Sequence, residues 1–135
     1  MSRRILRSAS HASSGLAFAC RTERNLRLFL WGYLPLLLFS SLLLPLGKEE
    51  VLLFLISGGL FVCVELINTA LERLADAADD HCTSAHQSYC FVTVKHAKDV
   101  AAAASLVSLI VVVLVFFIVI VPHVLSGRVP LGLFW

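Results

Sequence analysis

Charged residues are scarce in this sequence. Asp, Glu, Lys and Arg make up 15% of its 135 residues, whereas hydrophobic residues make up 59%, and the mean hydropathy is +0.88. A soluble domain of this length could not bury so much apolar surface, so the composition indicates a membrane protein. The formal net charge of +2 is too small to favour a nucleic-acid partner.

Familiar nucleotide-binding motifs are also missing. The sequence contains no G-x-x-x-x-G-K-[ST], no G-x-G-x-x-G and no H-R-D, the motifs through which many proteins bind phosphates and their metal ions. Its Gly47-Lys48 pair is followed by Glu49. A nucleotide, if one binds, must therefore be held by a different arrangement of residues.

Three long apolar runs are present instead. Residues 28–46 and 100–122 carry no charge, and residues 51–71 carry a single charged side chain, Glu65. Each run is close to the ~20 residues that cross the hydrocarbon core of a bilayer. Each must be helical, because lipid offers no hydrogen-bond partner to the backbone. The predicted fold is therefore an all-α membrane protein with three transmembrane helices.

A further helix is predicted over residues 3–22. Its apolar side chains recur at helical spacing, at Ile5, Ala9, Ala12, Leu16 and Ala19. Arg4, Arg7 and Arg21 lie largely off that stripe. This pattern is typical of an amphipathic helix on a membrane surface. A cleaved signal peptide is not expected, because the first apolar run starts late and no A-x-A-like site follows it.

Lysine and arginine predict the orientation of the spans. Six arginines precede the first run, whereas the connection to the second run holds one lysine. Arg73, Lys95 and Lys98 lie between the second and third runs. The positive-inside rule therefore predicts a cytoplasmic N-terminus, a cytoplasmic connection over residues 77–97 and an external C-terminus.

The connection over residues 77–97 is predicted to be a long polar loop. It contains several metal-binding residue types, at His81, Cys82, His86, Cys90 and His96. Their spacing does not match C-x2-C or H-x3-H pairs, so incidental residues are favoured over a zinc site. Disulfides are disfavoured as well, because the loop is predicted to face a reducing compartment.

A polar stripe begins inside the second run. Its members recur at steps of three and four, at Glu65, Asn68, Thr69, Glu72 and Asp76, and so share one helical face. An ionised carboxylate at the bilayer centre costs about 2.5–3.5 kcal/mol on insertion scales, and such residues are usually functional. The stripe therefore predicts a functional site rather than an accidental polar edge.

Carboxylates this close together repel one another unless a cation or a proton intervenes. Mg²⁺ suits such a site, because it prefers oxygen ligands and usually binds carboxylates together with substrate phosphates. Lys98 and Asp99 come just before the third run, and Arg4, Arg7 and Glu23 are predicted on the same side. The cytoplasmic boundary is therefore the predicted meeting point of a phosphorylated, metal-bound ligand and a membrane-dissolved one.

The motif E-L-I-N-T-A-L-E-x-x-x-D at residues 65–76, followed by A-K-D at residues 97–99, resembles the prokaryotic integral-membrane diacylglycerol kinase family, whose relatives include the undecaprenol kinases. T-E-R-N-L-R at residues 22–27 is similar too, and the likeness covers nearly the whole chain. The resemblance implies an ATP-dependent kinase of a membrane lipid alcohol in the bacterial plasma membrane. It also implies a homotrimer with sites shared between subunits.

Residue roles are implied by the same resemblance. Glu65 matches the general base that takes the proton of the lipid hydroxyl, and Glu23 and Glu72 match ligands of Mg²⁺. The nucleotide-binding positions of the family match Lys98, Asp99, Arg4 and His11. Asn68 and Asp76 match supporting positions, with Asn68 orienting the catalytic carboxylate or a phosphate.

The sequence departs from the family in three places. The connection before Lys98 is longer than expected, Phe91 replaces a frequent histidine, and Phe29 replaces a second N-terminal acid of some members. These differences concern the nucleotide side and leave the carboxylate core intact. T-E-R-N-L-R and A-K-D-V-A-A look closer to the undecaprenol branch, but diacylglycerol and undecaprenol both stay open as acceptors.

A second functional class is a small ion- or proton-translocating membrane subunit. In that reading Glu65 binds and releases a cation within the membrane. It leaves Glu23, Glu72, Lys98 and Asp99 without a role, whereas the kinase reading uses all of them. A purely structural bundle would use none of the stripe.

Overall fold

The structure, a computed structural model, describes residues 2–85 and 88–126, with side chains from 4 to 80 and from 91 to 126. These residues form four helices: α1 (Ser2–Thr22), α2 (Arg24–Leu43), α3 (Lys48–Ala85) and α4 (Ser88–Leu125). Within this described part of the chain, three stretches are long and apolar enough to cross a membrane: Arg24–Leu43, Lys48–Asp80 and Phe91–Leu125. The predicted all-α fold with three such helices is confirmed.

The first span ends earlier than predicted. The sequence predicted a span over residues 28–46, whereas α2 ends at Leu43. Leu44 has an extended backbone, with φ −109° and ψ 141°, because the ring of Pro45 disfavours a helical conformation in the preceding residue. Pro35 lies inside α2 and is tolerated at the cost of one backbone hydrogen bond.

The predicted polar loop over residues 77–97 is wrong. Helix α3 continues to Ala85 and α4 begins at Ser88, so almost all of this stretch is helical. The sequence has no glycine or proline between Gly59 and Pro122, and alanine, frequent around residue 77, is the strongest helix former. His81, Cys82, His86 and Cys90 lie outside the described side chains, while His96 is exposed on α4.

Helices α3 and α4 form an antiparallel hairpin. Polar contacts between their described side chains include Glu50 with His123, Glu65 with Ser105, and Asp76 with Lys98. Each helix has 38 residues, about 57 Å at 1.5 Å per residue. The hydrocarbon core of a bilayer is only ~30 Å thick. The hairpin is therefore long enough to extend well beyond the membrane at one end.

Helix α2 is held against α3 by aromatic side chains. The Tyr33 hydroxyl donates a hydrogen bond to the Phe54 backbone oxygen over 2.6 Å. The Phe29 ring stacks on Tyr33 with a centroid distance of 4.7 Å and lies 4.1 Å from the ring of Phe61. Tyr33, Phe54 and Phe61 belong to the buried core with Val112 and Val119 of α4.

The outer faces of the helices remain largely apolar. Side chains as large as Trp31, Leu42 and Ile118 are more than two-thirds exposed. A water-soluble protein would expose few contiguous apolar faces of this size. Lipid or neighbouring protein therefore has to cover them.

Candidate active site

The polar stripe of α3 passes from the interior of the hairpin to its surface. Glu65 is 4% exposed and Asn68 is 7% exposed, whereas Glu72 is half-buried and Asp76 is exposed. Among the residues whose burial the structure describes, Glu65 is the only buried carboxylate. A buried charge is costly unless it is paired or hydrogen-bonded, so the surroundings of Glu65 are the centre of the site.

A cavity of about 410 Å³ opens beside Glu65. Its polar lining comes from three helices: Asn25 of α2, Ser105 of α4, and Glu65, Asn68 and Glu72 of α3. The remaining walls are apolar, formed by Leu28, Phe29, Phe61, Ala102, Leu106 and Leu109. A mainly apolar cavity with a few convergent polar groups is the usual form of a small-molecule site.

Glu65 has one hydrogen-bond donor within the described part of the chain. The Ser105 hydroxyl on α4 donates to Glu65 Oε2, and both residues are buried. The other carboxylate oxygen, Oε1, has no protein donor among the described residues. Ser105 therefore holds one carboxylate oxygen of Glu65, and the other oxygen is left to accept a hydrogen bond from a ligand.

Asn68 and Glu72 form a second polar pair in the cavity. Asn68 Nδ2 donates to Glu72 Oε1 over 2.8 Å, while Asn68 Oδ1 is buried without a hydrogen-bond partner in the described residues. An unpaired buried carbonyl oxygen beside a carboxylate matches the oxygen ligands that Mg²⁺ prefers. No three His, Cys, Asp or Glu side chains among those described are grouped to hold a metal alone. Mg²⁺, however, usually keeps waters and phosphate oxygens as further ligands, so these residues fit it.

Glu23 lies where α1 meets α2. It precedes the first residue of α2 with an extended backbone, φ −90° and ψ 117°, and its Oε1 accepts a hydrogen bond from Arg73 Nη2 over 3.0 Å. The Arg73 guanidinium also lies 4.5 Å above the Phe18 ring of α1. These contacts tie Glu23 to the residue that follows Glu72. Glu23 does not line the cavity itself.

Lys98 and Asp76 pair across the hairpin. Lys98 Nζ lies 2.5 Å from Asp76 Oδ1, with the Lys98 side chain 34% exposed and the Asp76 side chain 69% exposed. Asp99 is exposed on the next position of α4. This pair lies one turn beyond Glu72 along α3, on the same side of the hairpin as the open end of the stripe.

Arg4 and His11 are remote from the cavity. Both are exposed on α1, and neither lines the cavity. At 1.5 Å per residue, Arg4 lies roughly 28 Å from Glu23 along the helix axis, and His11 roughly 18 Å. Within one chain, Arg4 and His11 therefore lie apart from Glu23 and from the lining of the cavity.

A second cavity of about 260 Å³ adjoins the first. It runs between α2 and α4 and shares Leu28, Phe29 and Leu109 with the first cavity. The rest of its lining is Gly32, Tyr33, Leu36, Val112, Val113 and Phe116. We call this second cavity the apolar groove. It leads from the carboxylates towards the middle of the spans.

Comparison with known sequences identifies the family. Residues 10–120 match the family described as prokaryotic diacylglycerol kinase. The chain belongs to that family. The part of this chain that matches the diacylglycerol kinase family includes every predicted site residue except Arg4, which lies before residue 10.

Two curated relatives agree with the family match. The undecaprenol kinase of Bacillus subtilis is 34% identical over 101 residues, which cover 75% of each chain. The diacylglycerol kinase of Synechocystis sp. is 33% identical over 122 residues, covering 90% of this chain and 65% of the relative. Both are named as lipid kinases, so the predicted family and the lipid-kinase class are confirmed. Nothing in these names supports ion translocation.

Sequence reasoning missed two polar residues of the cavity. Asn25 lies within the T-E-R-N-L-R motif but had no assigned role, and Ser105 lies within an apolar run. In the structure the buried positions of α4 near Ser105, which are Ala101, Ser105, Ser108 and Val112, recur at helical spacing, but the apolar residues on all sides of this run hide that spacing in the sequence. That spacing marks an inward face, and a hydroxyl on it indicates a buried polar contact.

Proposed function

We propose that this chain transfers the γ-phosphoryl group of ATP to the hydroxyl of a membrane lipid alcohol, either diacylglycerol or undecaprenol. The observation that carries the proposal is a buried carboxylate, Glu65, in a cavity that continues into an apolar groove. Such a site can meet an alcohol that never leaves the lipid. Membership of the diacylglycerol kinase family supports the same reaction.

Glu65 is the proposed general base. It takes the proton of the lipid hydroxyl while the oxygen attacks the γ-phosphorus and ADP leaves with the electron pair of the broken P–O bond. The reaction depends on in-line positioning and charge neutralisation more than on covalent chemistry. A buried carboxylate that is anchored on one oxygen suits this positioning role.

Glu72 and Glu23 are the proposed protein ligands of Mg²⁺, with Asn68 supporting Glu72. Mg²⁺, when bound, neutralises the phosphate charge that grows during transfer. Glu72 and Asn68 share the cavity with Glu65, which supports this assignment. Glu23 is linked to the same turn of α3 through Arg73. Glu23 does not line the cavity in this chain, so its side chain has to leave Arg73 to reach a cation held there.

Lys98 is the proposed contact for the β and γ phosphates, with Asp99 as a further nucleotide contact. Lys98 pairs with exposed Asp76, and a phosphate competes well for a lysine because it carries more charge than a carboxylate. Asp76 then holds Lys98 near the site until the nucleotide arrives. Arg4 and His11, remote on α1 of the same chain, are proposed to complete the nucleotide site of a neighbouring copy.

The whole protein is proposed to be a homotrimer in the bacterial plasma membrane, with α1 along the cytoplasmic surface. The apolar outer faces of α2 to α4 provide surfaces for both lipid and neighbouring copies. Glu65 lies about 26 Å from the start of α3 at 1.5 Å per residue, close to one hydrocarbon thickness. This spacing supports a site at the cytoplasmic boundary, opposite the Lys48 end.

A reconstituted kinase assay tests the proposal. The purified chain in lipid nanodiscs receives Mg²⁺ and γ-labelled ATP with either diacylglycerol or undecaprenol, and labelled lipid phosphate is separated by thin-layer chromatography. We expect transfer to at least one lipid and a loss of about 10²-fold or more in Glu65→Gln, the scale of a lost general base.

Glu49→Gln is the matched control, because Glu49 is exposed in the first turn of α3, far from the cavity. It should phosphorylate lipid like the unmodified chain. Absence of transfer to both lipids from a folded chain contradicts the kinase proposal. Equal rates for the two Glu→Gln variants contradict the role of Glu65.

A further inference from the structure

The contact between Glu65 and Ser105 joins two helices at the wall of the cavity. Ser105 Oγ on α4 donates to Glu65 Oε2 on α3, and both side chains line the cavity. The partners are 40 residues apart in sequence. The orientation of the Glu65 carboxylate therefore depends on how α4 packs against α3.

Ser105 uses its hydroxyl differently from the neighbouring buried serine. Serine in a membrane helix commonly donates to a backbone oxygen three or four residues earlier in its own helix. Ser108 does so, with its Oγ 2.7 Å from the Ser105 backbone oxygen. Ser105 instead reaches across to a carboxylate. If the Ser105 hydroxyl needed only a hydrogen-bond acceptor, a backbone oxygen of its own helix would be available.

The hydrogen bond distinguishes the two carboxylate oxygens of Glu65. Oε2 accepts from Ser105, whereas Oε1 has no donor among the described residues. A carboxyl group rotates easily about its last torsion unless something holds it. With one oxygen anchored, the other is left in a defined position at the cavity wall.

We propose that Ser105 is a positioning residue that anchors Oε2 of Glu65 and so directs Oε1 at the lipid hydroxyl. The inference rests on the proposed kinase function. During transfer, Oε1 gains the hydroxyl proton, the lipid oxygen bonds to phosphorus and ADP leaves. Ser105 keeps its own proton throughout, and no covalent bond to Ser105 forms or breaks.

Three substitutions at one position test the role of the donor. Ser105→Ala removes it, Ser105→Thr keeps it, and Ser105→Cys keeps nearly the same size with a weaker donor. We expect kcat to fall by about 10- to 100-fold in Ser105→Ala, the cost of a misplaced catalytic group. The KM values for lipid and ATP should change little. Ser105→Thr should recover most of kcat, and Ser105→Cys should fall between.

Ser108→Ala is the control for packing, since it removes a buried serine hydroxyl from the same helix without touching Glu65. It should keep the kcat of the unmodified chain. All variants are compared after a thermal melt in detergent shows that they are folded. If Ser105→Thr fails to fold, the remaining proteins still test the inference. The value of kcat should then fall from the unmodified chain to Ser105→Cys and further to Ser105→Ala.

Two results would overturn the inference while leaving the kinase function intact. One is a folded Ser105→Ala variant with unchanged kcat. The other is a loss that is equal in the alanine, cysteine and Ser108→Ala variants, which would indicate packing alone. If the unmodified chain phosphorylates neither lipid, the kinase proposal fails first and the positioning role fails with it.

Discussion

At the scale of single residues, Asn68 contributes both a hydrogen-bond donor and an acceptor to the site, although its side chain carries no charge. Its amide nitrogen holds Glu72, and its carbonyl oxygen is buried without a partner in the described residues. A buried acceptor left unsatisfied costs about 1–3 kcal/mol. A bound cation, or a water molecule on that cation, would satisfy this oxygen during function and so offset the cost.

We therefore expect Asn68→Ala to weaken the response to Mg²⁺. The substitution removes the donor that orients Glu72 and the free oxygen beside it, and loss of such a supporting group costs about 10–100-fold in metal affinity. The measurement is the Mg²⁺ concentration that gives half-maximal lipid phosphorylation. It should rise by that factor, while activity at saturating Mg²⁺ falls less.

Thr69→Ala is the matched control, because Thr69 is a buried neighbour on α3 that does not line the cavity. Its Mg²⁺ response should stay unchanged. An unchanged response in a folded Asn68→Ala variant would contradict the link between Asn68 and the metal.

The residues of the site differ in how well sequence reasoning could find them. Glu65, Asn68 and Glu72 share one helix, so their common face follows from spacing alone, and the structure has all three lining one cavity. Ser105 and Asn25 come from other helices. Their proximity depends on the register of α4 and α2 against α3, which local periodicity does not fix.

At the scale of helices, the ends were harder to predict than the middles. The second and third apolar runs lie within the observed spans, and the first does so except for residues 44–46, since hydrophobicity marks the membrane-crossing part. Pro45 explains why α2 stops early. The extension of α3 and α4 through polar residues was missed because polarity suggested a loop, whereas helix propensity and the absence of glycine and proline decide the backbone.

Helices α2 and α3 approach each other closely at Gly58. A Cβ built there would lie 2.4 Å from Tyr33 Cε1 and 2.8 Å from Tyr33 Cζ, although the Tyr33 hydroxyl must stay near Phe54 to keep its hydrogen bond. We expect Gly58→Ala to destabilise the chain by about 1–3 kcal/mol, as overpacking does. The melting temperature in detergent measures this.

Gly59→Ala is the control, because a Cβ at Gly59 would meet nothing within 4 Å. It should be neutral or slightly stabilising, since alanine favours a helix by about 1 kcal/mol over glycine. Tyr33→Leu combined with Gly58→Ala should cost less than the sum of the two single changes. Additive losses would show that the Tyr33 ring is not what limits space at Gly58.

At the scale of the whole molecule, a single chain does not bring α1 to the cavity lining. Its cavity is bounded by three helices, its outer faces are apolar, and Arg4 lies roughly 28 Å from Glu23 along α1. All of these observations are explained if α1 of one copy reaches the cavity of a neighbouring copy. A ring of identical contacts then gives each site residues from two chains.

Mixed oligomers test this sharing directly. Chains with Arg4→Ala and chains with Glu65→Gln are each expected to have little activity alone. In a randomly mixed trimer, roughly a quarter of the sites would pair an intact Glu65 with an intact Arg4 from its neighbour. Lipid phosphorylation should therefore recover to about that fraction of the unmodified rate when the two chains are co-expressed.

The outcome separates three arrangements of the site. Recovery requires Arg4 and Glu65 to act across a subunit boundary, because neither chain carries both. Activity that stays at the average of the two single variants means that both residues act within one chain, and α1 must then fold back on its own hairpin. Full activity in Arg4→Ala alone would show that Arg4 has no role in the nucleotide site. The same experiment with His11→Ala then tests whether α1 contributes to the site at all.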